Sequence, residues 1–273
     1  MSSACRRLAL ALSVLLGLVG TAAARDLKVC ADPNNLPFSN ENGEGFENKI
    51  VELIARELGA ELHYFWWAQR RGFLRNTLNA GACDLVTGSV LGMEMLRSTI
   101  PYYRSSYVFV TRADGLSIAS LDDAALRQAR IGIQLVGSDN LPPAAALADR
   151  GLVGNVHGYP VYGDDRDPDP GSGIVAAVAA GDIDVAIAWG PLAGYYATRE
   201  QVPLKVTPVE PQVAGPRLPM VFDVSMGVRK GEDVLRDDVN RAISRLRPEI
   251  DRILATYGVP RLDGEGPDRA AAR

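Results

Sequence analysis

The apolar positions of this 273-residue chain switch repeatedly between a period of two and a helical period. Residues 27–31, Leu-Lys-Val-Cys-Ala, read as a strand that runs into the turn chemistry of Asp32-Pro33-Asn34-Asn35. Gly45-Phe46-Glu47-Asn48 then opens a helix in which Ile50, Val51, Leu53, Ile54 and Leu58 form one stripe and Gly59 supplies the stop. A strand over 62–66, a helix through Phe73, Leu74 and Leu78 ending at Gly81, and a strand over 84–87 complete a β-α-β-α-β series. Short links between alternating elements imply a parallel, doubly wound sheet.

The segment 107–111, Tyr-Val-Phe-Val-Thr, is a strong strand that reads as a crossing point into a second α/β series. There the pattern predicts a helix over 121–128, a strand over 130–135, helices over 143–149 and 173–180, and a strand over 185–189. A proline-rich stretch, 202–219, leads to a strand over 222–228 and a long amphipathic helix from about 232 to 257, which returns to the first series. The expected organisation is one α/β lobe from 25–111 plus 220–260, a second from 112–219, and an aperiodic, disordered tail over 261–273. Two doubly wound lobes joined by a two-segment hinge leave a cleft between them, a common place to hold a ligand.

The N-terminus changes the picture by naming a compartment. Arg6 and Arg7 precede an apolar run over 8–20, and Thr21-Ala22-Ala23-Ala24 offers small residues to a signal peptidase, so 1–24 reads as a signal peptide and the mature chain begins near Arg25. The run is shorter than the roughly 20 apolar residues a membrane span needs, and nothing later is long and uncharged enough to try. Cys5 lies before the apolar region, where a lipid-anchor cysteine would not be. The expectation is a periplasmic protein with no membrane anchor. Of the 29 basic residues, losing Arg6 and Arg7 leaves 27 against 33 acidic ones, a formal charge of −6 that disfavours nucleic-acid binding. The cysteines left are Cys30 and Cys83, an even pair in an oxidising compartment, beside strands that a parallel sheet makes neighbours; a disulfide is expected. Closing that loop stabilises by about 4 kcal/mol in the chain-entropy model.

Catalytic chemistry is scarce. The two histidines, His63 and His157, are far apart, and His63 alternates with aromatics on a strand, which favours packing over a metal cluster. Nucleophile-elbow, Walker A and dinucleotide-binding patterns are all missing. The acidic run 164–173 resembles the start of a calcium loop, but counting from Asp165 the sixth and twelfth positions are Pro170 and Ala176 instead of glycine and glutamate. No metal, no cofactor and no enzymatic activity are expected. Two stretches instead have the composition of contact surfaces: Trp66-Trp67-Ala68-Gln69-Arg70-Arg71-Gly72-Phe73 and Tyr102-Tyr103-Arg104-Ser105-Ser106-Tyr107.

Several segments together resemble a known family. Asp32-Pro33-Asn34-Asn35-Leu36-Pro37-Phe38, Gly45-Phe46-Glu47-Asn48, Gln69-Arg70-Arg71-Gly72-Phe73, Pro101-Tyr102-Tyr103-Arg104-Ser105, Trp189-Gly190-Pro191-Leu192-Ala193-Gly194-Tyr195 and Met226-Gly227-Val228-Arg229 are similar to the J proteins of bacterial methanol oxidation, MxaJ and XoxJ. The resemblance covers essentially the whole mature chain. It implies a periplasmic binding protein of the type II fold, associated with a pyrroloquinoline-quinone (PQQ) methanol or alcohol dehydrogenase whose maturation or activation it assists.

Amino-acid receptors of the wider fold family resemble one another in an Asp-x-x-Tyr-Pro-Pro-Phe turn, an arginine after the third strand and an aspartate ending a strand of the second lobe. Here Asn35 stands at the aromatic position, Met95 at the arginine and Trp189 at the aspartate. A zwitterion in such a cleft would leave charges unpaired at a cost of several kcal/mol. The resemblance and composition nominate Asn35, Arg70, Arg71, Tyr102, Tyr103, Arg104, Ser138, Trp189 and Tyr195 as cleft or contact residues. The arginines suit an acidic protein surface or the carboxylates of PQQ, and the aromatics would stack or anchor. The competing reading is a solute receptor delivering a small, non-amino-acid ligand to an import complex.

Overall fold

The computed structural model describes residues 25–136, 141–161, 169 and 171–262. The chain opens with β1 (Arg25–Ala31), the short antiparallel pair β2 (Asn34–Asn35) and β3 (Ser39–Asn40), and α1 (Phe46–Glu57). The Asn48 side chain accepts from the Gly45 and Asn40 N–H groups, which ties the first turn of α1 to β3. β4 (Ala60–Trp66), the one-turn α2 (Phe73–Asn76), a 3₁₀ turn over Leu78–Ala80 and β5 (Leu85–Val90) follow. β1 lies between β4 and β5, parallel to both. Cys30 therefore sits beside Cys83, and the two form a disulfide with a Cα–Cα distance of 5.6 Å.

β6 (Arg97–Arg112) is far longer than its apolar centre predicts, because pairing with β13 continues through Pro101 and Arg104, with register shifts on either side of Pro101. The second series contains a 3₁₀ turn at Ala124–Arg127, β7 (Ile131–Leu135), α3 (Pro142–Ala148), β8 (Val156–Pro160), α4 (Gly173–Ala180), β9 (Val185–Trp189) and α5 (Gly190–Ala197). The full helix expected over 121–128 is thus a single turn, which Asp123 caps by accepting from the Ala125 N–H. The proline-rich stretch holds β10 (Leu204–Pro208), which pairs with β6. Pro208 is tolerated there because it ends an outer strand. The pair β11 (Val213–Ala214) and β12 (Leu218–Pro219) leads into β13 (Val221–Val228), α6 (Asp233–Arg245) and α7 (Arg247–Thr256). The single long helix expected at the end is two, because Pro248 in the first turn of α7 brings no N–H to bond back into α6.

Nine strands form one mixed sheet in the order β4-β1-β5-β13-β6-β9-β7-β8, with β10 also on β6. Pairing is parallel within each end, where helices cross between strands, and antiparallel around β13 and β6. β6 belongs to both ends: up to Ser106 it pairs with β13, and from Tyr107 it pairs with β9 and β10. The core is divided accordingly. One cluster joins α1, α6 and α7 to β1, β5 and β13; two more flank β7 and β9, and a small one surrounds the disulfide. The elements around the first cluster are the first half below, and those around β7 and β9 the second. Arg261 and Leu262, expected in the tail, are anchored: the Leu262 N–H donates to the Arg104 carbonyl at 3.1 Å. The signal-peptide segment, the acidic run apart from Asp169 and Gly171–Gly173, and the remainder of the tail lie outside the described residues.

Candidate functional site

A cleft of about 330 Å³ lies where the two halves face each other across β6 and β13. The first half contributes Asn35, Phe38, Glu47, Gln69, Gly88 and Val90, and the crossing strands Tyr103, Tyr107, Phe222 and Val224. Gln134, Val136, Leu141, Val161, Trp189 and Leu192 close it from the second half. Its back wall is an aromatic triad. Trp189 meets Tyr107 edge-on at 5.5 Å and Phe222 at 5.8 Å, and Tyr107 meets Phe222 at 6.4 Å, the edge-to-face geometry that ring quadrupoles favour. Register creates the triad: Trp189 pairs with Tyr107 on the β6–β9 ladder. The Trp189 N–H donates to Gln134 Oε1 at 2.7 Å, which holds the end of β9 and the start of α5 in place. Burial pushes the Tyr107 hydroxyl up to about 12, so it is neutral across the physiological range.

The polar groups are few. Asn35 Nδ2 donates to Gln69 Oε1 at 3.3 Å, and the Gln69 N–H donates to Asp32 Oδ2 at 2.5 Å, so the turn after β1 organises the loop after β4. Glu47, 5% exposed, stands in the first turn of α1. Its Oε1 accepts from the Tyr102 hydroxyl at 2.6 Å and its Oε2 from Thr87 Oγ1 at 2.6 Å. Burial raises this carboxyl above its ordinary value, and the two hydroxyl hydrogen bonds pull it partway back. No lysine, arginine or histidine is among the described residues lining the cleft.

Of the nine residues nominated by sequence, Asn35, Tyr103 and Trp189 line the cleft. Tyr102 is fully buried behind the wall, where it supports Glu47. Arg70 and Arg71 are exposed on the loop after β4, next to Gln69. Arg104 is half-buried and pairs with Asp223 across the β6–β13 ladder at 3.1 Å. Tyr195 lies in α5 outside the cleft, stacked on Tyr257 at 5.8 Å with the Arg199 guanidinium 3.4 Å from its ring centroid. Ser138 falls outside the described residues. Sequence reasoning missed Glu47, Gln69, Gln134 and Phe222 as lining groups. Glu47 reads as a helix-opening residue, and only the fold reveals that the helix opens onto the cleft.

A largely apolar cleft between two α/β halves, with Glu47 the one charged side chain among its described lining, is a place to hold a ligand. The chain belongs to the bacterial extracellular solute-binding proteins, family 3, whose sequence profile matches residues 27–260. Its relatives include proteins named MoxJ, XoxJ and MxaJ. Protein MoxJ of Methylorubrum extorquens is 33% identical over 251 residues, spanning 87% of this chain and 82% of MoxJ. The crystal structure of the periplasmic binding protein XoxJ from Methylobacterium extorquens AM1 is 38% identical, covers 86% of this chain and 99% of its own, and has a TM-score of 0.71. MxaJ from Methlophaga aminisulfidivorans MPT is 28% identical over 86% of this chain and all of its own, with a TM-score of 0.74. No described helix is long and apolar enough to cross a membrane.

Proposed function

We propose that this protein is a periplasmic accessory factor that binds a PQQ-dependent methanol or alcohol dehydrogenase and assists its maturation or activation. The observation that carries the reading is Trp189. Where amino-acid receptors resemble one another in ending a strand with aspartate, this chain ends β9 in an indole that completes an aromatic wall. A cleft so built favours an apolar or aromatic group over a zwitterion. The relationship to MoxJ, XoxJ and MxaJ supports the same direction. In this reading residues 25–111 with 220–260 form one lobe and 112–219 the other. Asn35, Tyr103 and Trp189 act in the cleft, and Arg70 and Arg71 at its flank meet an acidic surface of the dehydrogenase.

The test is affinity capture of the protein from periplasmic extract of its host, followed by titration with the purified quinoprotein dehydrogenase. Trp189→Ala or Arg70→Ala should weaken the complex about tenfold or more, as loss of an interface anchor does. A small molecule that raises the melting temperature by itself, with no dehydrogenase captured, would replace this reading with that of a solute receptor.

A further inference from the structure

We infer that the cleft takes an apolar, ring-bearing group that carries one cationic N–H donor, an ammonium or guanidinium, and that Glu47 is the residue that reads it. The carboxyl is the one acid among the described lining residues, and no described lining residue is basic. Each of its oxygens already accepts one hydroxyl, yet a carboxylate offers about four lone-pair sites, so acceptor capacity remains. Its supports cannot neutralise it. Tyr102 accepts the Gly88 N–H at 3.1 Å, so its own proton is committed to Glu47. What the described lining lacks, and an occupant can supply, is positive charge.

Gly88 gives access to the carboxyl. It lines the cleft in the left-handed region, φ +65°, and the three atoms nearest to a Cβ built on it all belong to the Glu47 carboxyl, with Oε1 at 3.0 Å and Oε2 at 3.3 Å. Any other residue would place its side chain over both oxygens. With glycine, a donor approaching across the Gly88 Cα faces both. Such a charge-assisted, two-oxygen contact to a buried carboxylate is among the stronger polar interactions. The surrounding groups do not compete: Tyr102 and Tyr103 of β6 and Tyr64 of β4 are all raised by burial and stay neutral, Glu52 lies further along α1, and Arg247 donates to the Pro101 and Tyr102 carbonyls.

This inference concerns the cleft's occupant and stands whether or not the partner is a quinoprotein. The donor can belong to a free amine or to a lysine or arginine side chain, so the test has two arms. Calorimetry would compare phenethylamine with 2-phenylethanol, and acetyl-Phe-Arg-amide with acetyl-Phe-Leu-amide. The cationic member of at least one pair should bind about tenfold or more tighter at pH 8, and the pair that discriminates identifies the source. Because the Glu47 carboxyl ionises above its ordinary value, that preference should grow as the pH is raised above the ordinary carboxylate range, while the probes keep their charge. Glu47→Gln keeps both hydroxyl partners, since each can also accept, and should erase the preference and its pH dependence while melting no lower than wild type. Equal affinity within both pairs, no binding by any probe, or a preference that survives Glu47→Gln would overturn the inference.

Discussion

Contacts between the two halves at an outer seam and at the cleft differ in kind. At the outer seam, α5 lies against the turn after α7 with backbone facing backbone: a Cβ on Gly194 would sit 1.9 Å from the Gly258 carbonyl oxygen. Tyr195 stacks on Tyr257, and the Tyr196 hydroxyl donates to Asp169 at 2.7 Å while lying 3.3 Å from the Leu36 carbonyl. At the cleft what the halves present to each other is side chains, and Phe38 and Trp189 each pack against core clusters of both halves. At the seam a shift of either segment meets backbone, whereas at the cleft it meets side chains. A binding protein gains from that division, because the seam fixes where the walls stand and leaves their lining free to suit an occupant.

Glycine substitutions separate the two regions most sharply. Gly194→Val pushes into immovable backbone and should cost about 3 kcal/mol or more in urea unfolding. A wild-type midpoint would mean the seam yields. Gly88→Ala meets a different obstacle, the movable end of the Glu47 side chain, together with a positive φ that an L-residue resists. It should cost about 1–2 kcal/mol by the same measurement while abolishing discrimination between phenethylamine and 2-phenylethanol. The smallest effect belongs to Tyr196→Phe, which removes one hydrogen bond at the seam's edge and should cost about 1 kcal/mol with cleft binding unchanged. Loss of binding without loss of stability there would show that the seam positions the cleft more delicately than its packing implies.

Much of this was legible along the chain. The stripe Ile50, Val51, Ile54 announces α1, and all three are buried in the first core. Cys30 and Cys83 announced their bond through count, compartment and strand position. Trp189 stood out because an indole occupies the place of a charge. What misled the reading was local chemistry outweighed by pairing: β6 runs through Pro101 and Arg104 because β13 supplies partners along its length, and β10 forms in a proline-rich stretch because β6 offers an open edge. The tyrosines Tyr102 and Tyr103 are adjacent in sequence and share one core cluster with their rings 4.9 Å apart, where β6 shifts register against β13, yet only Tyr103 reaches the cleft while Tyr102 donates to Glu47.

The order of elements, the disulfide and the aromatic character of the cleft were set by the sequence, because period, cysteine count and composition act locally or through simple pairing. Tertiary structure alone decided that Glu47 turns its carboxyl toward the cleft beneath a glycine, that Tyr107 and Phe222 join Trp189, and that α5 locks against the end of α7. Each depends on strand register and on the distance between segments far apart in the chain, and neither quantity is written in any stretch of residues.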